Sequence, residues 1–138
     1  MRILVTGING FTGSHLKPEL EAHGHTVKGL NSNLTEPEAL STEIAELEPE
    51  AVVHLAGISY VGHGNVREFY EVNLIGTQNL LEALDKHAPG VRSILLTSSA
   101  NIYGNQIEDD LSEEIIPHPT NDYAVSKLAM ENMAQLLI

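Results

Sequence analysis

Two residues four positions apart, Tyr123 and Lys127 in the stretch NDYAVSK, could carry out acid–base chemistry. Positions i and i+4 of a helix lie on one face, so the phenol and the ammonium would project together. A nearby positive charge makes a phenol easier to ionise, and such a tyrosine can exchange a proton with a carbonyl or an alcohol. The pair alone also fits an ordinary surface helix, so its meaning depends on the rest of the sequence.

A hydroxyl-rich stretch, TSSANIYG at 97–104, follows a predicted buried strand. Ligands of open parallel sheets bind at the carboxyl ends of the strands, so we expect these hydroxyls to face the ligand crevice. Ser99 is then placed to hydrogen-bond a substrate carbonyl beside Tyr123. The alternative is a serine that only caps its own turn.

A glycine-rich turn, TGINGFTG at 6–13, joins the first predicted strand to the first predicted helix. The first glycine would make the tight turn, the second would let a pyrophosphate approach the backbone, and the third would permit close packing on the sheet. The helix N-terminus would then offer amide hydrogens to the phosphates. The alternative is a tight turn without a ligand. The expected cofactor-binding residues of the turn are Gly7, Asn9, Gly10, Phe11, Thr12 and Gly13.

Asn31 occupies the position, about twenty residues past the glycine turn, where an acid normally binds the adenosine ribose. An asparagine neither repels nor grips a 2′-phosphate, so NAD and NADP both stay open. Asn33 and Leu34 follow in a place suited to the adenine edge, although a solvated turn before a helix fits them nearly as well.

Hydrophobic periodicity predicts strands that alternate with helices. The predicted strands are 2–6, 25–30, 51–56 and 92–98, and the predicted helices are 10–23, 36–47, 65–87 and 121 to the end. Continuous apolar strands separated by helices indicate a parallel sheet covered on both faces.

Local signals refine this pattern. Thr35 is the predicted N-cap of the second helix, with Pro37 in its first turn. Pro18 is expected to kink the first helix. Only NSNLT joins the second strand to the next helix, so one helix and one strand of the usual doubly wound order are missing or reduced.

Composition narrows the function. The 138 residues include 19 acidic and 7 basic side chains, a net charge of −12 that argues against nucleic acid as a partner. No apolar run approaches the roughly 20 residues of a membrane span. There are no cysteines, which excludes a disulfide framework, and we expect a cytoplasmic protein. Seven histidines form no metal-ligand cluster, so no metal site is expected; His63 could reach a substrate or simply be solvated.

Five motifs in order resemble the extended short-chain dehydrogenase/reductase (NAD-dependent epimerase/dehydratase) family: TGINGFTG, HLAG at 54–57, EVNLIGT around Asn73, SSANIYG and YAVSK. The resemblance spans the whole chain. It implies a Rossmann-type doubly wound parallel sheet in three α/β/α layers, NAD or NADP as cofactor, and a nucleotide-sugar substrate. It also implies a catalytic triad of Ser99, Tyr123 and Lys127.

The resemblance assigns a role to each matching residue. Tyr123 would be the general acid/base, Lys127 would help it ionise and bind the nicotinamide ribose, and Ser99 would orient the substrate oxygen. Asn73 would brace the backbone near the site, or be an ordinary polar helix residue. Further residues expected to contact the cofactor are Leu55, Ala56, Gly57, Asn73, Thr97, Tyr123 and Lys127. Three positions depart from the family pattern, namely Asn31, Asn33 and Asp122, which stands where many members have proline.

The loop SEEIIPHPTNDYAVSK, taken with HLAGISYVG, is most like GDP-4-keto-6-deoxymannose reductases. We therefore expect NAD(P)-dependent reduction of a 4-keto-6-deoxy nucleotide sugar, with an epimerase of the same family or a non-catalytic NAD(P)-binding sensor as alternatives. A 4,6-dehydration is not expected. The resembled dehydratases carry an acid after the catalytic hydroxyl residue, whereas Ala100 and Asn101 follow Ser99.

Two expectations concern the protein beyond this site. The last helix reaches Leu136, Leu137 and Ile138 without a glycine stop, so 1–138 is expected to be an incomplete dinucleotide-binding domain in front of a substrate domain. A homodimer is expected through helix 65–87, whose apolar surface is wider than one buried face needs. Residues assigned to the sheet are Phe69, Val72, Leu80 and Leu84, and those left for a partner are Tyr70, Leu74 and Leu81.

Overall fold

The structure is a computed structural model that describes residues 1–60, 62, 64–105 and 110–137; His63 and Ile138 lie outside the described residues. The chain divides into two compact units. The sheet unit comprises Met1–Gly57 and Asn79–Thr97, and the helical unit comprises Ile58–Gln78 with the described part of Ser98–Ile138. In the described part of the chain, no helix is both long and apolar enough to cross a membrane.

Four parallel strands form the sheet: β1 (Arg2–Thr6), β2 (Thr26–Gly29), β3 (Ala51–His54) and β4 (Ser93–Leu96). Their order is β2-β1-β3-β4, and β1 lies in the middle with Ile3 opposite both Val27 and Ala51. All four predicted strands are confirmed, and so is the Rossmann-like class. Within the described residues this is the usual doubly wound order 3-2-1-4-5-6 without strands 3 and 6, and the missing strand 3 agrees with the short connection NSNLT.

The middle strand is buried on both faces because its residues are continuously apolar. Ile3 and Val5 pack with Val27 and Ala51, and Leu20 covers this cluster. Leu4 points to the opposite face and is 1% exposed. Burying each such side chain stabilises the fold by about 1.5–3 kcal/mol, so the strand is a firm base for the turn that follows it.

Helix α1 (Phe11–Ala22) and helix α2 (Pro37–Leu47) belong to the sheet unit. Pro18 lies inside α1, which runs on to Ala22. Pro37 opens α2 as predicted, but Thr35 is not its N-cap, which is Glu36. The N–H and the hydroxyl of Thr35 both donate to the Asn33 side-chain oxygen, so Thr35 belongs to a turn that Asn33 closes.

The predicted helix 65–87 is present but is not uniform. It consists of α3 (Val66–Glu68), a π-helical segment (Phe69–Gly76) and α4 (Thr77–His87), and the boundary between the two units falls within α4. Leu80 and Leu84 are buried as expected. Phe69, assigned to the sheet from the sequence, contacts the ring of Tyr123. The homodimer stays a prediction.

Helix α5 (Asp122–Gln135) carries the tyrosine and the lysine. Asn121 caps its start, because its side-chain oxygen accepts a hydrogen bond of 2.9 Å from the Ala124 N–H. The prediction that this helix continues through Leu137 is wrong. Leu136 and Leu137 instead bond back to carbonyls three residues earlier, a tightening typical of a helix end, and the Leu136 side chain is 85% exposed.

Candidate active site

The glycine turn of the sheet unit has room only for glycine at two positions. Gly7 has φ +69°, and a Cβ there would lie 2.8 Å from the Ala56 nitrogen. A Cβ on Gly13 would lie 2.5 Å from the Gly7 carbonyl oxygen. The turn is closed by a 2.9 Å hydrogen bond from the Gly10 N–H to the Gly7 carbonyl. The backbone is therefore folded back tightly on itself before α1 begins.

The N-terminus of α1 is left open by this turn. Gly10 is the N-cap and supplies no side-chain hydrogen bond, and Asn9, Phe11 and Thr12 are exposed. The first amide hydrogens of a helix have no partner within the helix and attract anions. A narrow glycine cradle with free amides fits the pyrophosphate of a dinucleotide.

A groove beside the glycine turn contains Asn31, the residue expected to bind the adenosine ribose. Asn31 lines it together with Asn9 and Ser14, and its other lining residues are Ile8, Lys17, Val27, Lys28 and Gly29. The sequence prediction placed Asn9 and Asn31 at one cofactor site, and the fold does bring them to one groove. Their contact with a cofactor stays a prediction.

Glu43 of α2 holds Asn31 in place, and nothing in the sequence pattern pointed to it. Its Oε1 accepts hydrogen bonds of 2.9 Å from both the backbone N–H and the side-chain Nδ2 of Asn31, and its Oε2 accepts one of 2.7 Å from the Ser32 N–H. Burial alone would raise the pKa of Glu43, but the hydrogen bonds from Ser32 and Asn31 outweigh it and lower that pKa. Asn31 is therefore in contact with a negatively charged carboxylate.

Asn33 and Leu34 are already engaged in the fold. The Asn33 side chain closes the turn at Thr35, and Leu34 is buried while its carbonyl accepts a 2.8 Å hydrogen bond from Asn79. These contacts match the alternative of a turn before a helix. An adenine contact at these residues stays a prediction.

A buried polar network joins the carboxyl ends of the strands. The Ala56 N–H donates to the Thr6 hydroxyl oxygen at 3.1 Å, and the same hydroxyl shares a 2.6 Å hydrogen bond with His54 Nδ1. The Thr97 hydroxyl donates to the His54 carbonyl at 2.8 Å. The network fixes the backbone that leads into Leu55, Ala56 and Gly57, the predicted cofactor-lining residues. No sequence pattern points to these roles of Thr6 and His54.

The helical unit buries the tyrosine and the lysine one turn apart on α5. Tyr123 is 7% exposed and Lys127 is 5% exposed, and Ser126 between them donates a 2.7 Å hydrogen bond to the Tyr123 carbonyl. Burial lowers the pKa of Lys127, while the carboxylate of Glu131 acts in the opposite direction with a smaller effect. A surface pair, the alternative weighed from the sequence, does not fit this burial.

The π-helical segment contacts α5 along the turn that carries Tyr123. The rings of Phe69 and Tyr123 lie 6.0 Å apart between centroids, and the Tyr70 hydroxyl donates to an Asp122 carboxylate oxygen at 2.6 Å. That hydrogen bond, together with burial, raises the pKa of Tyr70. Asp122 was noted in the sequence only as a departure from the family, yet its contact anchors the start of α5.

Asn73 of the π-helical segment braces two parts of the helical unit. Its Oδ1 accepts from the Ile58 N–H at 2.8 Å, and its Nδ2 donates to the Ile58 carbonyl at 3.0 Å and to the Ser126 hydroxyl oxygen at 3.1 Å. The side chain is fully buried and its donors and acceptor are used. The predicted bracing of backbone is thus present, and the contact of Asn73 with a cofactor stays a prediction.

Ser99 also belongs to the helical unit. Its Oγ accepts a 3.2 Å hydrogen bond from the Asn101 N–H and so caps the short 3₁₀ helix Ala100–Tyr103. The capping role considered as the alternative is therefore observed. Accepting this bond leaves the hydroxyl hydrogen available, so capping and donation to a substrate oxygen are compatible.

The predicted site residues fall into two groups, one in each unit. The sheet unit holds Gly7, Asn9, Gly10, Phe11, Thr12, Gly13, Asn31, Asn33, Leu34, Leu55, Ala56, Gly57 and Thr97. The helical unit holds Asn73, Ser99, Tyr123 and Lys127. Among the described residues, no group of three or more His, Cys, Asp or Glu could hold a metal ion.

The sequence profile of the NAD dependent epimerase/dehydratase family matches residues 3–137. Two curated relatives are a GDP-6-deoxy-D-mannose reductase from Pseudomonas aeruginosa, 43% identical over 96% of this chain, and a GDP-6-deoxy-D-talose 4-dehydrogenase from Aggregatibacter actinomycetemcomitans, 39% identical over 96%. The matched regions are 45% and 47% of those proteins, so the chain spans about half the length of these relatives.

A solved structure of RMD from Pseudomonas aeruginosa, complexed with NADPH, superposes with a TM-score of 0.83 and 40% identity. The match covers 96% of this chain and 47% of that one. The nicotinamide cofactor predicted from the sequence is confirmed at the level of the family, whose description gives NAD, and the similar solved structure contains NADPH.

Proposed function

Because the chain belongs to the NAD dependent epimerase/dehydratase family, we propose that it carries the cofactor site and the catalytic residues of an NAD(P)-dependent reductase. The proposed substrate is a 4-keto-6-deoxy sugar linked to a nucleotide, and Tyr123 is the general acid. The main support is the burial of Tyr123 and Lys127 one turn apart on a helix that the π-helical segment anchors through Phe69, Tyr70 and Asn73.

The proposed proton transfer uses three side chains. The Tyr123 hydroxyl donates its proton to the ketone oxygen, which becomes the new alcohol, and the Lys127 ammonium stabilises the phenolate left behind. Ser99 donates its hydroxyl hydrogen to the same oxygen and orients it. This role is supported by the Asn101 N–H, which already binds the Ser99 oxygen as an acceptor.

The cofactor is proposed to bind through the glycine turn. The dinucleotide, when bound in its reduced form, supplies the hydride that adds to the carbonyl carbon. Gly7 and Gly13 keep the turn narrow, and the open amides at the start of α1 offer donors to the pyrophosphate. Thr6 and His54 keep the backbone of Leu55–Gly57 fixed at the strand ends.

Reduction is preferred to a 4,6-dehydration because Ala100 and Asn101, which follow Ser99, cannot move an additional proton. A guanosine diphosphate sugar is preferred because both curated relatives are named for GDP-6-deoxy sugars. An epimerase uses the same acid–base groups, so the substrate assay has to include both reactions.

The test uses the full-length natural protein that contains this sequence. Turnover of GDP-4-keto-6-deoxymannose with NADH and with NADPH is followed by loss of nicotinamide absorbance, and UDP-glucose is assayed in parallel for epimerisation. Tyr123→Phe should lower kcat by about 10²- to 10⁴-fold, because it removes the proton donor. The affinity for the dinucleotide should change by less than about twofold, which is below the worth of one hydrogen bond.

The matched control is Tyr60→Phe, which removes the phenol oxygen of a side chain that is 73% exposed. It should retain the rate of the unsubstituted protein. Full activity in Tyr123→Phe would remove Tyr123 as the general acid, and turnover of UDP-glucose alone would replace the reductase by an epimerase.

A further inference from the structure

Asn31 sits where a dinucleotide site usually has an acid, yet a carboxylate is present directly behind it. Glu43 comes from α2, twelve residues further along the chain, and receives the Asn31 N–H, the Asn31 Nδ2 and the Ser32 N–H within 2.9 Å. A half-buried carboxylate that accepts three hydrogen bonds is fixed in both position and charge.

This contact decides which way the Asn31 amide faces. A carboxylate only accepts hydrogen bonds, so Nδ2 has to be the end of the amide that meets Glu43. The opposite orientation would set the amide oxygen against the carboxylate at hydrogen-bonding distance. Oδ1 is therefore the end turned away from Glu43, on a residue that is exposed and lines the groove beside the glycine turn.

We propose that Glu43 is a specificity-determining residue for the dinucleotide: it orients Asn31 so that Oδ1 accepts a hydrogen bond from a free ribose 2′-hydroxyl, and so favours NAD(H) over NADP(H). The inference rests on the proposed function in one respect, that the glycine turn binds a dinucleotide. A 2′-hydroxyl can donate to Oδ1. A 2′-phosphate carries only acceptors and negative charge, so it cannot donate a hydrogen bond to Oδ1. It would also be repelled by the Glu43 carboxylate on the other side of the amide.

Two lysines that line the same groove favour NADP(H) instead. Lys17 and Lys28 line it and attract phosphate, although Lys17 also lies 3.7 Å from Glu21 in an ion pair. Both lysines lie on exposed positions, where solvent and salt weaken their pull, whereas the Glu43 charge is half-buried and fixed by hydrogen bonds. The orientation of Asn31 therefore dominates the choice.

The experiment measures the dissociation constants of NADH and NADPH by nicotinamide fluorescence, with the full-length natural protein. The unsubstituted protein should bind NADH at least about tenfold more tightly than NADPH, the worth of one hydrogen bond to a charged or oriented group. Glu43→Gln places an amide where the carboxylate was and allows Asn31 to turn its Nδ2 outward. The preference for NADH should then fall by about tenfold.

Glu46→Gln on the same helix is the control, because it changes the net charge equally at an exposed side chain and should leave the ratio unchanged. Asn31→Ala is a second variant, which removes Oδ1 but keeps the backbone bonds to Glu43, and it should lower the NADH preference equally. Tighter binding of NADPH by the unsubstituted protein, or an unchanged ratio in Glu43→Gln and Asn31→Ala, would overturn the inference while leaving the proposed function intact. Failure to bind either dinucleotide would overturn both.

Discussion

The glycine turn of the sheet unit is built from backbone, whereas the surroundings of Tyr123 in the helical unit are built from side chains. At the turn, Gly7 and Gly13 matter for the Cβ they lack, because backbone atoms occupy that space. Around Tyr123, Tyr70 and Asn73 matter for the hydrogen bonds they make. One region is held together by close approach and the other by paired polar groups.

The two regions should therefore lose stability in different ways. A side chain added to the glycine turn would overlap backbone atoms. The loss of stability is therefore steric and does not depend on the chemistry of the added group. A side chain removed from the contacts of α5 leaves polar partners unpaired, so the damage scales with the number of hydrogen bonds lost.

Gly13→Ala should break the backbone-built region. Alanine in a helix is usually better than glycine by about 0.5–1 kcal/mol, and Gly13 is inside α1. The new Cβ would however lie 2.5 Å from the Gly7 oxygen and 2.6 Å from the Ile8 Cα, and neither backbone atom can move cheaply. We expect a net loss of about 4 kcal/mol in the free energy of unfolding, measured by urea denaturation, together with loss of dinucleotide binding.

Gly90→Ala is the matched control, because nothing lies within 4 Å of a Cβ built there. Its free energy of unfolding should stay within about 0.5 kcal/mol of the unsubstituted protein. Equal stabilities of the two variants would show that the close approach at Gly13 has no energetic weight.

Asn73→Leu should break the side-chain-built region. The substitution keeps a similar volume but removes the partners of the Ile58 N–H, the Ile58 carbonyl and the Ser126 hydroxyl. Each buried polar group left unpaired costs about 1–3 kcal/mol. Because the Ile58 backbone can move and recover part of this loss, we expect the free energy of unfolding to fall by about 3 kcal/mol in total. The free energy of unfolding is again measured by urea denaturation. The kcat of the same variant is measured as well, because a displacement of α5 would lower it.

Asn79→Leu supplies the comparison, since Asn79 makes one described side-chain hydrogen bond, to the Leu34 carbonyl, and is half-buried. It should cost about 1 kcal/mol. A similar loss in both variants would contradict the idea that damage here follows the number of bonds.

Glu131→Gln should shift the pH profile without breaking the fold. In the proposed mechanism Lys127 has to be protonated to stabilise the phenolate. Burial lowers the pKa of Lys127, and the Glu131 carboxylate partly offsets that effect. Removing the Glu131 charge lowers the Lys127 pKa further, so the ammonium is lost earlier as the pH rises. The alkaline limb of kcat should move to lower pH, measured from pH–rate profiles of the full-length natural protein.

Glu38→Gln, an equal change of net charge on an exposed residue of α2, should leave that limb in place. A shift of the same size in both variants would assign the effect to net charge and not to the neighbourhood of Lys127.

The sequence predicted best the parts of the molecule whose constraints are local. Apolar runs identified all four strands, and the spacing of Gly7, Gly10 and Gly13 identified the turn. Gly10 and Gly13 face the nearby Gly7 carbonyl, whereas the atoms closest to a Cβ on Gly7 belong to Leu55 and Ala56. Thr35 shows the limit of such local signals. It has the right type for a helix cap, but Asn33, two residues earlier, takes its hydrogens for a turn.

Contacts between distant residues stayed hidden. Tyr70 and Asp122 are 52 residues apart and Thr6 and His54 are 48 apart, so no periodicity relates them. Glu43 was one acid among 19. What makes it different is its position twelve residues after Asn31, and only the packing of α2 beside the end of β2 turns that spacing into a contact.

The π-helical segment Phe69–Gly76 has a consequence for chain length. Its hydrogen bonds span five residues instead of four, so it holds more residues than an α-helix with the same number of turns. Deleting one residue there could relax the segment to an ordinary helix without a break. Tyr70 and Asn73 reach Asp122 and Ser126 from within this segment. The loss of one residue from this segment in a descendant of this protein would therefore fall among the contacts of α5 while leaving an unbroken helix on both sides.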